Sequence, residues 1–285
     1  MDIQRVGVVG CGLMGSGIAE VSARSGCAVI VVEDSPATAK AGQERIERSL
    51  TNAAKRGKLS SDDVERILAG LDVVDDMQAL ADRQLVIEAV PEDEQLKLDV
   101  FRRLDRTVGD DSILASNTSS IPIMKLAMAT GRPEQVVGLH FFNPVPVLPL
   151  VELVSSLLTS EATAQTAGDF AVDRLGKHLI RSQDRAGFIV NALLIPYLLS
   201  AIRMLESGFA SAEDIDQGMM QGCAHPMGPL ALADLIGLDT TAAVARSLYE
   251  EFKEPLYSAP PLLLRMVDAG LLGRKSGRGF YTYDR

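Results

Sequence analysis

A glycine-rich turn near the start of the chain constrains the fold more than any other feature of the sequence. The turn reads Gly10-Cys11-Gly12-Leu13-Met14-Gly15 and directly follows a short apolar stretch, residues 5–9. The segment after the turn has helical composition and ends at Gly26. A strand, a G-x-G-x-x-G turn and a helix in this order are the context that the dinucleotide-binding fingerprint requires. The sequence therefore predicts a Rossmann-type βαβ unit here.

The three glycines of this turn have separate physical tasks in the predicted unit. Gly10 allows the tight turn, Gly12 lets a pyrophosphate approach the backbone, and Gly15 lets the helix pack closely on the strand. The backbone amides at the start of the helix then bind the pyrophosphate. We therefore expect cofactor contacts from all six residues of the turn: Gly10, Cys11, Gly12, Leu13, Met14 and Gly15.

An acidic pair after the second predicted strand indicates which dinucleotide is bound. Residues 28–32 are apolar, and Glu33-Asp34 follows them, 18 and 19 residues beyond Gly15. A carboxylate at this position accepts a hydrogen bond from the ribose 2′-hydroxyl and repels a 2′-phosphate. The predicted cofactor is therefore NAD rather than NADP.

A histidine and an isolated glutamate form the second informative feature. His140 follows the apolar stretch 136–139, and Glu152 lies inside another apolar stretch, 150–154, with three prolines between them. A carboxylate among Val and Leu is costly to bury unless a partner is near, and His140 is the candidate partner. Such a carboxylate fixes the tautomer of the imidazole, which can then act as a general base. The alternative is a histidine in a loop and a solvated glutamate.

Polar side chains follow another predicted strand, residues 113–116. They are Asn117-Thr118-Ser119-Ser120. In a doubly wound sheet, ligands bind outside the carboxyl ends of the strands, and His140 is expected at the same edge. These side chains are therefore predicted to contact the substrate or the nicotinamide, or else to cap the helix that starts near Pro122.

A basic cluster lies in the helical hairpin that is predicted to follow the second strand. Lys55, Arg56 and Lys58 form the only dense group of cations in the first half of a chain whose formal net charge is −10. The cluster could hold an anionic ligand. It could also be a solvated helix end, where the helix dipole favours cations.

The pattern changes after Asp184, where strand-like segments give way to long apolar helices. We predict a doubly wound Rossmann domain with a helical-hairpin insertion in residues 1–184 and an all-α domain in residues 185–285. The helices of the second domain are apolar beyond a single stripe, so they pack tightly on one another or bury a face against a second subunit. The preferred interpretation is a symmetric homodimer formed through this domain.

Composition excludes several classes of function. The net charge of −10 argues against nucleic acid and anionic membranes as partners. No apolar segment reaches the roughly 18 residues that a membrane span needs, and the first residues do not resemble a signal peptide. The three cysteines lack metal-ligand spacing, so we expect no metal and free thiols in a reducing cytoplasm.

With these motifs in view, the whole chain resembles the 3-hydroxyacyl-CoA dehydrogenases, most closely the bacterial short-chain members that act on 3-hydroxybutyryl-CoA. The glycine turn and its continuation to Ala19 fit the family pattern, and Gly138–Pro144 together with Glu152 is highly specific for it. Three further motifs also match: Glu88-Ala89-Val90-Pro91-Glu92 with Lys97, Ser116-Asn117-Thr118-Ser119-Ser120, and the closing segment from Leu272 to Tyr281.

The resemblance implies reversible, NAD-dependent oxidation of an (S)-3-hydroxyacyl-CoA to the 3-ketoacyl-CoA. It assigns catalysis to His140 and Glu152 and puts Ser119 and Asn191 near the substrate oxygens. The implied NAD contacts are Glu33, Glu92, Lys97, Ser119, Asn143 and Lys275. The implied coenzyme A contacts are Ser49 and Arg56, with Lys55 or Lys58 as alternatives in a loosely aligned hairpin.

The chain departs from the family pattern at two positions close to Asn191. Ala186 stands where a proline normally precedes Gly-Phe, and Ala192 stands where an arginine is common. Neither residue belongs to the implied chemistry. Both make the exact placement of Asn191 harder to predict.

Two other functions remain open at this stage. Related dehydrogenases act on free 3-hydroxy acids or sugar acids. Those that resemble 6-phosphogluconate dehydrogenase use a lysine in the helical domain, but this chain has no lysine between Lys177 and Lys253. A protein that binds NAD without catalysis would have the same fold.

Overall fold

The computed structural model describes residues 2–283, and its chain divides after Arg185 into two units. The first unit contains an eight-stranded sheet in the order β3-β2-β1-β4-β5-β6-β7-β8. Its strands are β1 (Arg5–Val9), β2 (Ala28–Val32), β3 (Leu71–Val74), β4 (Leu85–Glu88), β5 (Ile113–Ser116), β6 (Val136–Phe141), β7 (Leu150–Ser155) and β8 (His178–Gln183).

The strands from β3 to β6 are parallel, and their order is that of a dinucleotide-binding fold. β7 runs antiparallel to β6. The connection between them is only residues 142–149, whereas a parallel crossover needs a dozen residues or more. β8 then pairs parallel with β7 through the crossover that contains residues 161–174.

Helices connect the parallel strands and cover the sheet. They are α1 (Leu13–Arg24), α2 (Pro36–Lys55), α3 (Ser61–Ala69), α4 (Glu94–Thr107), α5 (Ile123–Ala127) and α6 (Glu161–Asp169).

The predicted helical hairpin is formed by α2 and α3. Ser35 caps α2 with Thr38 as the reciprocal partner, and Ser60 caps α3 in the same way with Asp63. Ile46 and Leu50 of α2 are buried in the core of the first unit. The two helices therefore pack their apolar stripes inward, which leaves the hairpin's charged residues towards solvent.

At the far side of the sheet, the sequence predicts a helix over residues 161–175 and a strand over residues 177–180. The helix is α6 followed by one π-helical turn, Phe170–Arg174. The last strand of the sheet begins at His178 and extends to Gln183. Most side chains of this edge strand are exposed or half-buried, so they do not show the apolar run of an inner strand.

The second unit is helical. It contains α7 (Val190–Glu206), α8 (Ala212–Gly222), α9 (Pro229–Ile236), α10 (Leu238–Phe252) and α11 (Pro261–Asp268) around a core of its own. The predicted fold class, a Rossmann-type doubly wound sheet followed by a helical domain, is confirmed.

The segment after α11 is held by one buried carboxylate. Asp234, 1% exposed, accepts hydrogen bonds from the amides of Phe280 and Tyr281 and from the hydroxyl of Tyr283. These bonds satisfy the buried charge and tie the segment to α9.

Among residues 2–283, no helix is long and apolar enough to cross a membrane.

Candidate active site

His140 and Glu152 are direct partners across the antiparallel pair β6–β7. Opposite residues of such a pair project to the same face of the sheet, which brings the two side chains together. His140 Nδ1 lies 2.7 Å from Glu152 Oε2. Glu152 is fully buried and His140 is 6% exposed. The sequence pattern that suggested this pairing therefore has a structural basis, since a buried carboxylate needs a polar partner.

Neighbouring groups fix the orientation of His140. The ring of Phe142 packs against the imidazole, with ring centroids 4.6 Å apart. The side-chain oxygen of Asn117 accepts a hydrogen bond of 2.9 Å from the amide of Phe141. Asn117 thus ties the end of β5 to the end of β6 beside the histidine. The imidazole is held on rigid elements, which is what precise proton transfer requires.

The glycine-rich turn has the geometry that a dinucleotide needs. Gly10 has φ of +91°, a conformation that favours glycine. A Cβ on Gly15 would lie 1.9 Å from the carbonyl oxygen of Gly10, so no larger residue fits there. Gly12 is the N-cap of α1, and no side chain within residues 2–283 caps this helix. The uncapped amides fit a pyrophosphate.

A carboxylate and a guanidinium both bind the backbone of Cys11. Glu33, at the end of β2, accepts a hydrogen bond from the Cys11 amide. Arg45, on α2, donates to the Cys11 carbonyl. The acid that sequence reasoning assigned to the ribose therefore lies against the glycine-rich turn. The thiol is not a nucleophile candidate, because burial raises the pKa of Cys11 to about 12.

A buried ion-pair cluster lies at the ends of β4 and β5. Lys97 of α4, 1% exposed, has its Nζ 2.6 Å from Glu88 Oε1 and 3.2 Å from Glu92 Oε2. Glu88 is fully buried. Burial raises the pKa of Glu88 above its usual value, although the nearby Lys97 opposes this effect.

Glu92 accepts hydrogen bonds from the polar segment that follows β5. Its Oε1 accepts from the Thr118 hydroxyl at 2.6 Å, the Ser119 amide at 2.9 Å and the Ser120 hydroxyl at 2.8 Å. The Ser119 hydroxyl lies 3.4 Å from the same oxygen. Burial acts to raise the pKa of Glu92, but Lys97 and these donors outweigh it and keep the pKa below its usual value. Glu92 is therefore ionised and orders residues 118–120.

Sequence reasoning missed the structural role of Glu88 and Ser116. The Ser116 hydroxyl donates to Glu88 Oε2 at 2.6 Å, and the Val90 amide donates to Glu88 Oε1 at 2.7 Å. The signal was present, because Glu88 is a single carboxylate at the end of an apolar strand, as Glu152 is within β7. Glu88 is thus the centre that joins β4, β5 and α4.

The glycine-rich turn and His140 lie along one edge of the sheet. β1, β4, β5 and β6 are consecutive parallel neighbours, with Val9 opposite Glu88 and Glu88 opposite Ser116. Adjacent strands are about 4.8 Å apart, so three steps from β1 to β6 cover about 14 Å. An extended dinucleotide anchored after β1 can therefore reach the end of β6.

The residues that are proposed to contact coenzyme A lie on α2 and at its C-terminal end. Lys55 is exposed at the end of α2, and the C-cap Arg56 is exposed beside it. Ser49 is half-buried one turn and a half earlier on α2, near the buried Glu20 of α1, whose pKa it acts to lower. The end of the hairpin thus presents cations to solvent, while Ser49 lies closer to the interior of the first unit.

The other sequence-predicted residues lie on separate elements. Asn143 is exposed in the loop after β6. Asn191 is half-buried in the first turn of α7. Lys275, in the second unit, has its Nζ 2.6 Å from the Asp239 carboxylate. These three roles stay predictions.

The departure at position 186 has a local partner. The amide of Ala186 donates a hydrogen bond of 2.9 Å to the Glu251 carboxylate of α10. The usual proline would lack this donor.

Among residues 2–283, no group of three or more His, Cys, Asp or Glu side chains could hold a metal ion.

Comparison with known proteins follows the same division of the chain. The family model described as 3-hydroxyacyl-CoA dehydrogenase, NAD binding domain, matches residues 5–185. The model described as 3-hydroxyacyl-CoA dehydrogenase, C-terminal domain, matches residues 187–283. Together the two matches cover nearly all of the chain.

Individual relatives agree with the family models over their full length. A 3-hydroxybutyryl-CoA dehydrogenase of Mycobacterium tuberculosis is 61% identical over 282 residues, which are 99% of each chain. The crystal structure of M. tuberculosis FadB2 is 60% identical, with a TM-score of 0.99 and complete coverage of both chains. The (S)-3-hydroxybutyryl-CoA dehydrogenase PaaH1 of Ralstonia eutropha is 44% identical, with a TM-score of 0.95 and complete coverage of both chains.

These matches confirm the family that the sequence motifs suggested. The chain belongs to the 3-hydroxyacyl-CoA dehydrogenase family.

Proposed function

We propose that the protein catalyses the reversible, NAD-dependent oxidation of (S)-3-hydroxybutyryl-CoA, or a similar short-chain substrate, to the 3-ketoacyl-CoA. The observation that carries this proposal is the buried His140–Glu152 pair, 2.7 Å apart, on the same sheet edge as the glycine-rich turn. Relatives that are named for this substrate support the choice of acyl group.

The His140–Glu152 pair determines which imidazole nitrogen takes the proton. Glu152 binds Nδ1 of His140, so Nε2 is the nitrogen that takes the proton from the substrate's 3-hydroxyl group. NAD, held at the glycine-rich turn, would supply the acceptor for the hydride that leaves carbon 3. The Glu152 carboxylate stabilises the imidazolium that forms. In the reverse direction, His140 returns the proton to the carbonyl oxygen of the 3-ketoacyl-CoA.

The family resemblance assigns two further polar side chains to the substrate. Ser119 would donate a hydrogen bond to an oxygen of the substrate from the segment that Glu92 orders. Asn191 would contact the acyl group from the first turn of α7. Donors aimed at a developing oxyanion lower the barrier most when they are held in place beforehand.

The proposed NAD site runs along the sheet edge. The uncapped start of α1 would bind the pyrophosphate and Glu33 would bind the adenine ribose. Glu92, Lys97, Asn143 and Lys275 would contact the nicotinamide half. The fit rests on the open backbone at Gly12, where a Cβ would meet nothing within 4 Å.

Coenzyme A would be held by the cations of the hairpin. Its phosphates are anionic, and Lys55 and Arg56 are exposed cations on a chain of net charge −10. A local basic cluster is required because the overall charge repels anions. Ser49, which is half-buried on α2, would donate a hydrogen bond from its hydroxyl to the same ligand.

We also propose that the protein is a homodimer in the cytoplasm, formed through its helical domain. Several large apolar side chains of this domain are exposed, among them Leu193 at 73% and Phe209 at 78%. Exposed apolar groups of this size are typical of subunit interfaces.

The direct test measures NADH oxidation as a loss of NADH absorbance. The substrates compared are acetoacetyl-CoA, longer 3-ketoacyl-CoAs and free acetoacetate. We expect turnover with acetoacetyl-CoA and little with the free acid. Preference for free acids would favour the related hydroxyacid dehydrogenases. Tight NADH binding without oxidation by any substrate would favour a non-catalytic NAD-binding protein.

A further inference from the structure

A buried lysine next to β8 contacts the loop that follows the catalytic histidine. Lys177 is 8% exposed, and its Nζ donates to the carbonyl oxygens of Val145 at 2.6 Å and Leu148 at 2.7 Å. Both acceptors are in residues 142–149, the β6–β7 connection, which we call the proline loop. Lys177 has no part in the proton transfer described above.

The proline loop needs an external donor because of its sequence. Pro144, Pro146 and Pro149 have no N–H group, so the loop has few donors of its own. Its internal bonds run from the amides of Val147 and Leu148 to the Pro144 carbonyl. The carbonyls of Val145 and Leu148 are satisfied by Lys177, and buried carbonyls left without a donor are costly.

The lysine in turn depends on the loop. Burial lowers the pKa of Lys177 below its usual value, and the charge of Arg24 acts in the same direction. Two carbonyl dipoles at short distance stabilise the buried ammonium, which has no carboxylate within ion-pair distance among residues 2–283. Lysine and loop therefore stabilise each other.

The proline loop also packs against the dinucleotide-binding helix. Val145 is 2% exposed, and a Cβ on Gly17 of α1 would lie only 2.9 Å from the Val145 Cβ. The loop is thus fixed on one side by Lys177 and on the other by α1. In the chain, Phe142 and Asn143 lie between His140 and the fixed residue Val145.

We infer that Lys177 is a positioning residue, which holds the proline loop against α1 so that Asn143 is correctly placed for the bound nicotinamide. This inference rests on the proposed function. Lys177 itself touches neither substrate nor cofactor. Its loss would therefore impair the binding of the dinucleotide more than the chemical step.

The test compares Lys177→Met, which removes the donors but keeps the length of the side chain, with wild type. Lys125→Met is the matched control, because Lys125 is exposed and forms its ion pair with the exposed Glu94 on the surface. We expect Lys177→Met to raise the KM and the Kd for NADH about tenfold, a loss on the order of one charge-assisted hydrogen bond. We expect kcat to fall by a smaller factor. The control should match wild type.

Hydrogen exchange provides a second readout that does not depend on catalysis. In Lys177→Met, the amides of Val147 and Leu148 should exchange about tenfold faster, while β1 and α1 should keep their protection. Unchanged exchange in the proline loop, or an unchanged KM for NADH, would overturn the inference. A uniform rise in amide exchange rates throughout the first unit would also overturn the inference, because that result means general destabilisation.

Two further outcomes are covered by the design. If Lys177→Met does not fold, Lys177→Ala, which also removes the donors and leaves space for water at the two carbonyls, is measured in the same way and judged by the same criteria. If wild type does not turn over acetoacetyl-CoA, the proposed function fails. NADH affinity and loop exchange then still decide the role of Lys177.

Discussion

At the scale of single residues, the site depends on a carboxylate that water cannot reach. Glu152 is fully buried, and its position on β7 is fixed by direct pairing with His140 on β6. A buried carboxylate with one imidazole partner orients that imidazole permanently. The charge of Glu152 also compensates the positive charge that His140 gains when it takes a proton.

Glu152→Gln removes this charge and keeps the shape of the side chain. We expect kcat with acetoacetyl-CoA to fall by about 10²-fold or more, because the imidazolium loses its counter-charge and the tautomer is no longer fixed. The Kd for NADH should change less than about threefold, since Glu152 is not among the proposed cofactor contacts.

The control for this prediction is Glu161→Gln, an exposed glutamate in the first turn of α6. Its kinetics should equal those of wild type. Equal kcat values for Glu152→Gln and Glu161→Gln would contradict the assigned role of Glu152.

Residues differ in how far the sequence reveals them. Glu152 could be predicted because a lone carboxylate within an apolar strand demands a partner. Lys177 could not, because both of its acceptors are main-chain carbonyls of a loop whose path depends on tertiary packing. The bond from Arg45 of α2 to the Cys11 carbonyl was equally hidden, since it depends on how α2 packs beside the glycine-rich turn.

At the scale of elements, the Glu88–Lys97 pair joins β4 to α4 in the interior of the first unit. A buried ion pair contributes little compared with an apolar pair, but breaking it leaves an uncompensated charge. Removing one partner of this buried pair is therefore expected to destabilise the protein more than removing one partner of a surface ion pair.

Glu88→Leu should lower the free energy of unfolding by about 3–5 kcal/mol, because Lys97 loses its nearest counter-charge. The double variant Glu88→Leu/Lys97→Met should recover a large part of this loss, since no isolated charge remains. Chemical denaturation of wild type, both single variants and the double variant measures the coupling. Strict additivity of the two single effects would contradict a direct ion pair.

Gly15 is the position where α1 approaches the turn after β1. Gly15→Ala places a Cβ 1.9 Å from the Gly10 carbonyl, so the turn must shift. We expect the Kd for NADH to rise at least about tenfold, because the amides that bind the pyrophosphate move with the turn. Fluorescence titration with NADH measures this.

Gly218→Ala is the matched control for the glycine-rich turn. Gly218 lies in α8, and a Cβ there would meet nothing within 4 Å. This change should leave NADH binding unaltered. A Kd for Gly15→Ala equal to that of the control would show that the turn does not hold the dinucleotide.

Elements of the parallel sheet were largely predictable, because their apolar runs alternate with capped helices. The reversal at β7 follows from a connection too short for a crossover. The π-helical turn after α6 was not predictable, since its residues have ordinary helical composition. β8 was predicted too short because its side chains are mostly polar or exposed.

At the scale of the whole molecule, the exposed apolar side chains of the helical domain are the basis for the proposed dimer. Leu193→Asp places a charge on α7, and Leu157→Asp makes the same change after β7 as a control. Both leucines are exposed, at 73% and 91%. We expect the first variant to dissociate, because a charge buried in an interface is costly.

Light scattering after size-exclusion chromatography measures the assembly. Wild type and Leu157→Asp should have twice the 30.5 kDa mass of one chain, and Leu193→Asp should shift towards one chain. A wild-type mass of 30.5 kDa, independent of concentration, would exclude the dimer.

The change from a sheet to helices could be predicted because the strand-like pattern ends at one place in the sequence. The family models meet at the same region of the chain. The proposed dimer partner of the helical domain is a different matter. Apolar helix faces favour burial against another surface, but their sequence does not identify that surface.

The most direct measurement is the rate of NADH oxidation by wild type and His140→Ala with acetoacetyl-CoA. Without the imidazole no group on β6 can exchange a proton with the substrate oxygen, so kcat should fall by about 10²–10⁴-fold. NADH binding and thermal unfolding should stay close to those of wild type. Near-normal turnover by folded His140→Ala would contradict the proposed mechanism.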